Sequence, residues 1–175
     1  VPYRSLDALG PAGSINSTVN DMTHWLRLHL GGGRFEGRRL VSADLLRDMY
    51  RPHMSIGDGG EDQEFQLLSY GLGWTVLSYR GHRVVTHSGS IDGFRCRVAM
   101  LPDEGVGTVV LTNGDKALPH VLTWELFDSL LALKPANWSR RTRADVRKEE
   151  EETRRRRRQQ RAGRVRGTKP SHKLS

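Results

Sequence analysis

Apolar residues recur three and four positions apart between residues 19 and 30, a spacing that predicts an amphipathic α-helix. Thr18 and Asp21 stand at its start with the spacing of a capping box, and three glycines follow its end. Ser42 marks the start of a second, shorter helix over about residues 43–50. We therefore expect the first part of the chain to be helical.

The first predicted helix contains two histidines, His24 and His29. Because they are five positions apart, they do not share a helical face and are not placed to hold one metal ion together. We expect both side chains to lie at the surface.

Beyond Tyr70 the pattern changes to an alternation of apolar and polar residues, which is the period of a β-strand. Tight-turn signals such as Asp92-Gly93 separate short segments that are rich in β-branched residues. We expect strands over about residues 71–79, 82–87, 94–101 and 107–112. Sequential strands with such short connections predict an antiparallel meander.

A further helix is predicted from Pro119 to about residue 133, since proline is favoured in the first turn of a helix. Its apolar residues form a stripe suited to covering the sheet: Leu118, Val121, Leu122, Leu126, Leu130 and Leu133. The pattern thus predicts an α+β fold, in which helices cover an antiparallel sheet.

Charge divides the chain into two parts. Residues 139–175 hold 15 basic and 5 acidic side chains, a net charge of +10, whereas residues 1–138 hold 13 and 15, a net charge of −2. Glu149 to Glu152 precede Arg154 to Arg158, so that opposite charges lie four positions apart, each pair worth roughly 0.2–0.5 kcal/mol in a helix. We expect residues 139–166 to be a solvated helical linker.

The arginine run is also compatible with nucleic-acid binding. Its glutamate neighbours neutralise half of it, however, and no aromatic residue is interleaved for base stacking. Nucleic acid is therefore the disfavoured partner.

No apolar run approaches the roughly 18 residues of a transmembrane helix, and the single cysteine, Cys96, excludes an internal disulfide. We expect no metal and no cofactor.

The candidate chemistry lies in residues 84–94, where a β-branched run leads into a turn. The run ends in four residues with polar or absent side chains: His87, Ser88, Gly89 and Ser90. A strand that ends in this way leaves its backbone open to a molecule alongside, because glycine has no Cβ. An ordinary hairpin with a surface histidine is the alternative interpretation.

Five groups of residues follow one another along the chain: Pro11-Ala12-Gly13-Ser14-Ile15, then Asp21-Met22 with Trp25-Leu26, then Tyr70-Gly71-Leu72-Gly73-Trp74, then His87-Ser88-Gly89-Ser90 with Gly93-Phe94, and last Leu101-Pro102 through Leu111-Thr112-Asn113. This order resembles the second half of serine β-lactamase-like proteins, the type that includes class C β-lactamases, penicillin-binding proteins, DD-peptidases and esterases. The resemblance covers roughly residues 1–138 and implies the C-terminal part of a catalytic domain, incomplete at its N-terminus.

The tail adds to the resemblance. Residues 167–175 look like the opening of a small β-rich domain that follows the catalytic domain in many of these proteins, with the linker at 139–166 between them. The resemblance therefore implies a fragment that is cut at both ends, from a protein that is secreted or periplasmic.

In this family a Ser-x-x-Lys serine attacks a carbonyl, a lysine or tyrosine moves protons, and water releases the acyl group. A third motif, usually Lys-Thr-Gly with His-x-Gly as a variant, falls by position on His87, Ser88 and Gly89. The resemblance implies that His87 supplies positive charge or a proton and that Ser88 donates to a substrate carboxylate. It also implies that the Ser90 backbone N–H belongs to the oxyanion hole, and that a small-molecule or peptide-like acyl substrate binds along the strand edge.

Three functions remain open at this point. The preferred one is the substrate-binding half of a serine hydrolase that acts through an acyl-enzyme on amide, ester or β-lactam bonds. The second is a non-catalytic binding or structural protein derived from the same fold. The third is the nucleic-acid binder with a basic tail.

The 175-residue chain alone is expected to form no acyl-enzyme, because none of its serines is followed at the third position by lysine. Incubation with a labelled penicillin or a fluorophosphonate, followed by intact mass measurement, checks this. A stoichiometric adduct on a serine of this chain would contradict it.

Overall fold

The computed structural model describes residues 10–57, 64–114 and 117–163. Within these ranges the helices are α1 (Gly10–Gly13), α2 (Val19–Leu30), α3 (Ala43–Met49), α4 (Leu118–Leu130) and α5 (Trp138–Ala162). The strands are β1 (Arg34–Phe35), β2 (Arg38–Arg39), β3 (Met54–Ser55), β4 (Phe65–Tyr70), β5 (Thr75–Tyr79), β6 (His82–Ile91), β7 (Phe94–Leu101) and β8 (Val106–Asn113).

The chain divides into two compact units, Val1–Pro135 and Ala136–Ser175. In the second unit, α5 has 25 residues and spans about 37 Å. Its acidic and basic side chains beyond residue 142 are exposed, and none of the described helices is both long enough and apolar enough to cross a membrane. The predicted boundaries of the linker stay a prediction, and residues 167–175 lie outside the described ranges.

The first unit is built on a six-stranded antiparallel sheet with the order β3-β4-β5-β6-β7-β8. Each strand pairs with the next along the chain, which is the meander that the short turns predict. Helices cover this sheet, so the α+β fold class predicted from the sequence is confirmed.

One face of the sheet, here called the α2/α3 face, packs against α2 and α3. Its core includes Leu26 and Leu46 from the helices and Val85, Val98 and Met100 from the strands. The start of α2 follows the sequence prediction, since the Asp21 N–H donates to Thr18 Oγ1 at 3.2 Å and the Thr18 hydroxyl donates to Asp21 Oδ2 at 2.9 Å. Helix α2 is thereby fixed from its first turn.

The opposite face of the sheet, here called the α4 face, packs against α4, but Val121 is the one member of the predicted stripe that is buried there. Leu118, Leu122, Leu126 and Leu130 are exposed, whereas Val121, Trp124 and Phe127 are buried. The buried Asp128 also lies on this side of α4: the Tyr79 hydroxyl donates to it at 2.6 Å and Arg80 pairs with it at 2.7 Å. A buried carboxylate must keep its partners, so these bonds stabilise the orientation that buries Trp124 and Phe127 and exposes the leucines.

The prediction of one strand over about residues 71–79 is confirmed for residues 75–79 and wrong for residues 71–74. The chain forms β4 before this segment, turns at residues 71–74 and begins β5 only at Thr75. A Cβ at Gly71 would lie 2.2 Å from the Met49 carbonyl oxygen, so only glycine fits. The Leu72 N–H also donates to that oxygen at 3.0 Å. Contact with the end of α3 therefore overrides the strand pattern.

The prediction that His29 lies at the surface was also wrong. Its side chain is buried between the rings of Trp25 and Trp74, and its Nδ1 is hydrogen-bonded to the Tyr50 hydroxyl. Its Nε2 is buried without a hydrogen-bond partner among the described residues. Burial lowers the pKa of His29 to about 4 and raises the pKa of Tyr50.

Acid is therefore expected to destabilise the fold through His29. In the unfolded chain His29 binds a proton near its ordinary pKa of 6.5, whereas in the folded chain it binds one only near pH 4. The stability that the neutral, buried His29 contributes is therefore present above pH 6.5 and falls as the pH is lowered. The free energy of unfolding should drop by about 2 kcal/mol from this group between pH 7 and pH 5.

Urea unfolding of the wild type, His29→Gln and His24→Gln at both pH values measures this effect. His24 is an exposed histidine on the same helix and serves as the control. His29→Gln should lose about 2 kcal/mol less than the wild type on acidification, and His24→Gln should lose as much as the wild type. Equal losses in all three proteins would show that His29 is not the group responsible.

Candidate active site

Strand β6 is longer than its neighbour β5. Pairing between them runs from Tyr79 with His82 to Thr75 with Thr86 and stops there. On its other side β6 stays paired with β7 through Ile91. Residues 87–91 therefore have a strand partner on one edge and none on the other among the described residues, and we call this unpaired stretch the open edge.

The four predicted site residues lie consecutively on the open edge. Alternation along the strand places the side chains of His87 and Gly89 on the α2/α3 face and those of Ser88 and Ser90 on the α4 face. The side chains of His87, Ser88 and Ser90 are all exposed. A molecule alongside the open edge can thus be contacted from both faces of the sheet, and the backbone groups of Ser88 and Ser90 point to the same edge.

Gly89 has a structural role that the sequence did not indicate. It pairs with Cys96 on β7, and a Cβ at Gly89 would lie 2.8 Å from Cys96 Sγ. That separation is far below van der Waals contact, so one of the two side chains would have to move. Cys96 is only partly buried. The structure therefore offers a packing reason for this glycine besides the predicted one of substrate access.

Tyr70 lies next to His87, although β5 separates their strands. The Tyr70 hydroxyl is 3.1 Å from His87 Nε2, and the two ring centroids are 6.3 Å apart. This contact passes around the beginning of β5. Tyr70 occurs among the residues that carry the family resemblance, but no spacing in the sequence indicates that it meets His87.

A positive side chain lies on the α4 face beside the open edge. Arg97 pairs in register with Ser88, and its guanidinium carbon lies 5.6 Å from the centroid of the Trp124 ring. Burial lowers the pKa of Arg97 from its ordinary value, and its Nε has no hydrogen-bond partner among the described residues. The arginine adds positive charge to the face that carries both serines.

Comparison with known proteins shows which family the chain resembles. The family described as "Beta-lactamase" matches residues 1–132. Unguisins hydrolase from Aspergillus violaceofuscus is 28% identical over 122 residues, covering 65% of this chain and 21% of that protein. Penicillin-binding protein 4 from Amycolatopsis lactamdurans is 28% identical over 123 residues, covering 70% of this chain and 31% of that protein.

A solved structure shares the fold. The octameric penicillin-binding protein homologue from Pyrococcus abyssi superposes with a TM-score of 0.59 at 21% identity, over 69% of this chain and 26% of that one. The chain thus spans 21% and 31% of the lengths of the two sequence relatives. Because the family match extends over most of the sequence and the sheet has the same fold, the chain belongs to the β-lactamase family, the group of serine β-lactamases and penicillin-binding-protein-like hydrolases.

Proposed function

We propose that this chain is the substrate-binding part of a serine hydrolase that acts through an acyl-enzyme on amide, ester or β-lactam bonds. The serine nucleophile and its lysine are contributed by residues other than these 175. The substrate is a small or peptide-like acyl compound. Support comes from the family match, since relatives of this type are named as a hydrolase and a penicillin-binding protein.

The observation that carries the proposal is the open edge of β6. An extended acyl group that lies along residues 87–91 pairs with the strand through backbone hydrogen bonds. Such pairing holds the scissile carbonyl at a fixed position along the strand, which is the main requirement for orienting it toward a nucleophile. A closed edge, as at residues 82–86, offers no such groups.

The residues of the open edge then take separate roles. The Ser90 N–H donates to the carbonyl oxygen as negative charge develops there, an interaction worth about 2.7–4 kcal/mol in comparable oxyanion holes. The Ser88 hydroxyl donates to an acidic or carbonyl group of the substrate on the α4 face. His87 donates to the substrate or to the leaving group from the other face.

Replacing His87 tests this assignment in the full-length protein. His87→Ala is expected to lower kcat/KM at least roughly tenfold, about 1.4 kcal/mol of transition-state stabilisation. Folding should hardly change, because the side chain is exposed. His87→Lys should restore activity toward anionic substrates, since a lysine ammonium stays charged well above pH 7.

Kinetics on a panel of ester, D-amino-acid amide and β-lactam substrates measure the effect. His24→Ala, an exposed histidine on α2, is the matched control and should keep wild-type activity. If His87→Ala keeps full activity on every substrate that is turned over, residues 87–90 are not the site.

Variants of Gly89 distinguish its proposed role in substrate access from its role in packing against Cys96. Gly89→Ala should reduce stability by about 1–2 kcal/mol, because the new methyl group meets Cys96 Sγ. The double variant Gly89→Ala with Cys96→Ala removes that sulfur and should regain most of the stability. Its kcat/KM should nevertheless stay reduced, because the methyl group still lies beside the open edge.

Urea unfolding and kinetics of the single and double variants separate the two roles. Cys96→Ala alone is the control and should keep both stability and activity close to the wild type. Full recovery of activity in the double variant would mean that the glycine serves only to accommodate Cys96, and Gly89 would then leave the proposed site.

A further inference from the structure

The contact between Tyr70 and His87 depends on where β5 begins. The two residues belong to β4 and β6, which are not neighbours in the sheet. Strand β5 pairs with β6 only from Thr75 onward, and at this end of β5 the Tyr70 hydroxyl reaches His87 Nε2 at 3.1 Å. The Tyr70 side chain thereby lies at the His87 end of the open edge.

The backbone holds Tyr70 firmly at this position. Tyr70 pairs with Met54 of β3 on one side and with Thr75 of β5 on the other. The His53 N–H donates to its carbonyl oxygen at 3.0 Å. The next residue, Gly71, is packed against the Met49 carbonyl at the end of α3. The backbone from which the Tyr70 side chain projects therefore has a fixed place in the sheet.

His87, by contrast, has little else to orient its ring. It is exposed, and its Nδ1 has no hydrogen-bond partner among the described residues. A neutral imidazole carries its proton on one nitrogen and accepts at the other, so a donor aimed at one nitrogen determines which form is present. A phenol is a good donor and a poor acceptor because its oxygen lone pair is delocalised into the ring.

We propose that Tyr70 is a positioning residue whose hydroxyl donates to His87 Nε2 and holds the neutral imidazole in the Nδ1–H form. Nδ1–H is then the donor that His87 offers to a carbonyl or carboxylate oxygen of the substrate, a role that rests on the function proposed above. His87 thus acts as a directed hydrogen-bond donor in the place where the family commonly has a lysine. Without Tyr70 the ring turns freely and takes the Nε2–H form that isolated imidazoles favour.

The ¹⁵N chemical shifts of the imidazole nitrogens test the tautomer directly in the 175-residue chain, at an alkaline pH where free histidine is neutral. Two histidines of the same chain are internal references. His53 Nε2 lies 2.9 Å from a backbone carbonyl oxygen, which only accepts, so Nε2 carries the proton. His82 Nδ1 lies 2.5 Å from a Glu104 carboxylate oxygen, so Nδ1 carries it.

In the wild type, His87 should match His82, with its proton on Nδ1. In Tyr70→Phe, which removes only the hydroxyl, His87 should change to the Nε2–H pattern of His53, while the two reference residues keep their shifts. A wild-type His87 with its proton on Nε2, or a tautomer that Tyr70→Phe leaves unchanged, overturns the inference.

Kinetics of the full-length protein test whether Tyr70 supports activity through His87. Tyr70→Phe should lower kcat/KM roughly threefold to tenfold, the effect of one hydrogen bond. The double variant Tyr70→Phe with His87→Ala should be no slower than His87→Ala alone, because Tyr70 acts only through the imidazole. Additive losses would show that Tyr70 acts separately from His87 and would overturn its assignment as a positioning residue.

The two proposals fail in different ways. If His87→Ala keeps full activity, the proposed function is wrong, and the tautomer measured by NMR still decides the contact between Tyr70 and His87. If the tautomer is wrong while His87→Ala is inactive, His87 remains a site residue and Tyr70 has no part in orienting it.

Discussion

The arrangement of the sheet depends on one close contact, between Gly71 and the carbonyl oxygen of Met49. A side chain at position 71 would overlap that oxygen, so the chain turns there with the end of α3 against it. The turn ends β4 and delays the start of β5 to Thr75. The unpaired length of β6 and the approach of Tyr70 to His87 both follow from that delay. A helix end that lies far away in sequence thus decides how much of the central strand is left open.

Much of the fold could be read from the sequence because its signals are local. The capping residues of α2 and the turn at Asp92-Gly93 each depend on a few neighbouring residues, and each appears where it was expected. The strand prediction was wrong over residues 71–74 because the pattern of two glycines and apolar residues there suits both a strand and a turn. Only the contact with α3 selects the turn, and sequence periodicity carries no information about such a contact.

Buried polar groups account for the other differences. The bonds of Asp128 to Tyr79 and Arg80 stabilise α4 in the orientation that leaves four leucines exposed. His29 is buried because Tyr50 offers it a hydrogen bond and two tryptophans surround it. In both places a hydrogen bond between distant elements outweighs the exposure expected from residue type. For the candidate site the sequence predicts the four residues of β6, and their role stays a prediction, whereas the contact of Tyr70 with His87 required the three-dimensional position of β4.

The open edge also bears on pairing between two copies of the chain. A strand with unpaired backbone groups pairs with any extended chain that reaches it, including the same strand of another molecule. Here the open segment is short, carries a glycine and three polar side chains, and ends in a sharp turn at Asp92-Gly93. These features weaken pairing with a second copy, since Ile91 is the one apolar residue among the five of the open edge. The same composition that leaves room for a ligand therefore limits edge-to-edge aggregation, and apolar substitutions along residues 87–90 would remove that protection.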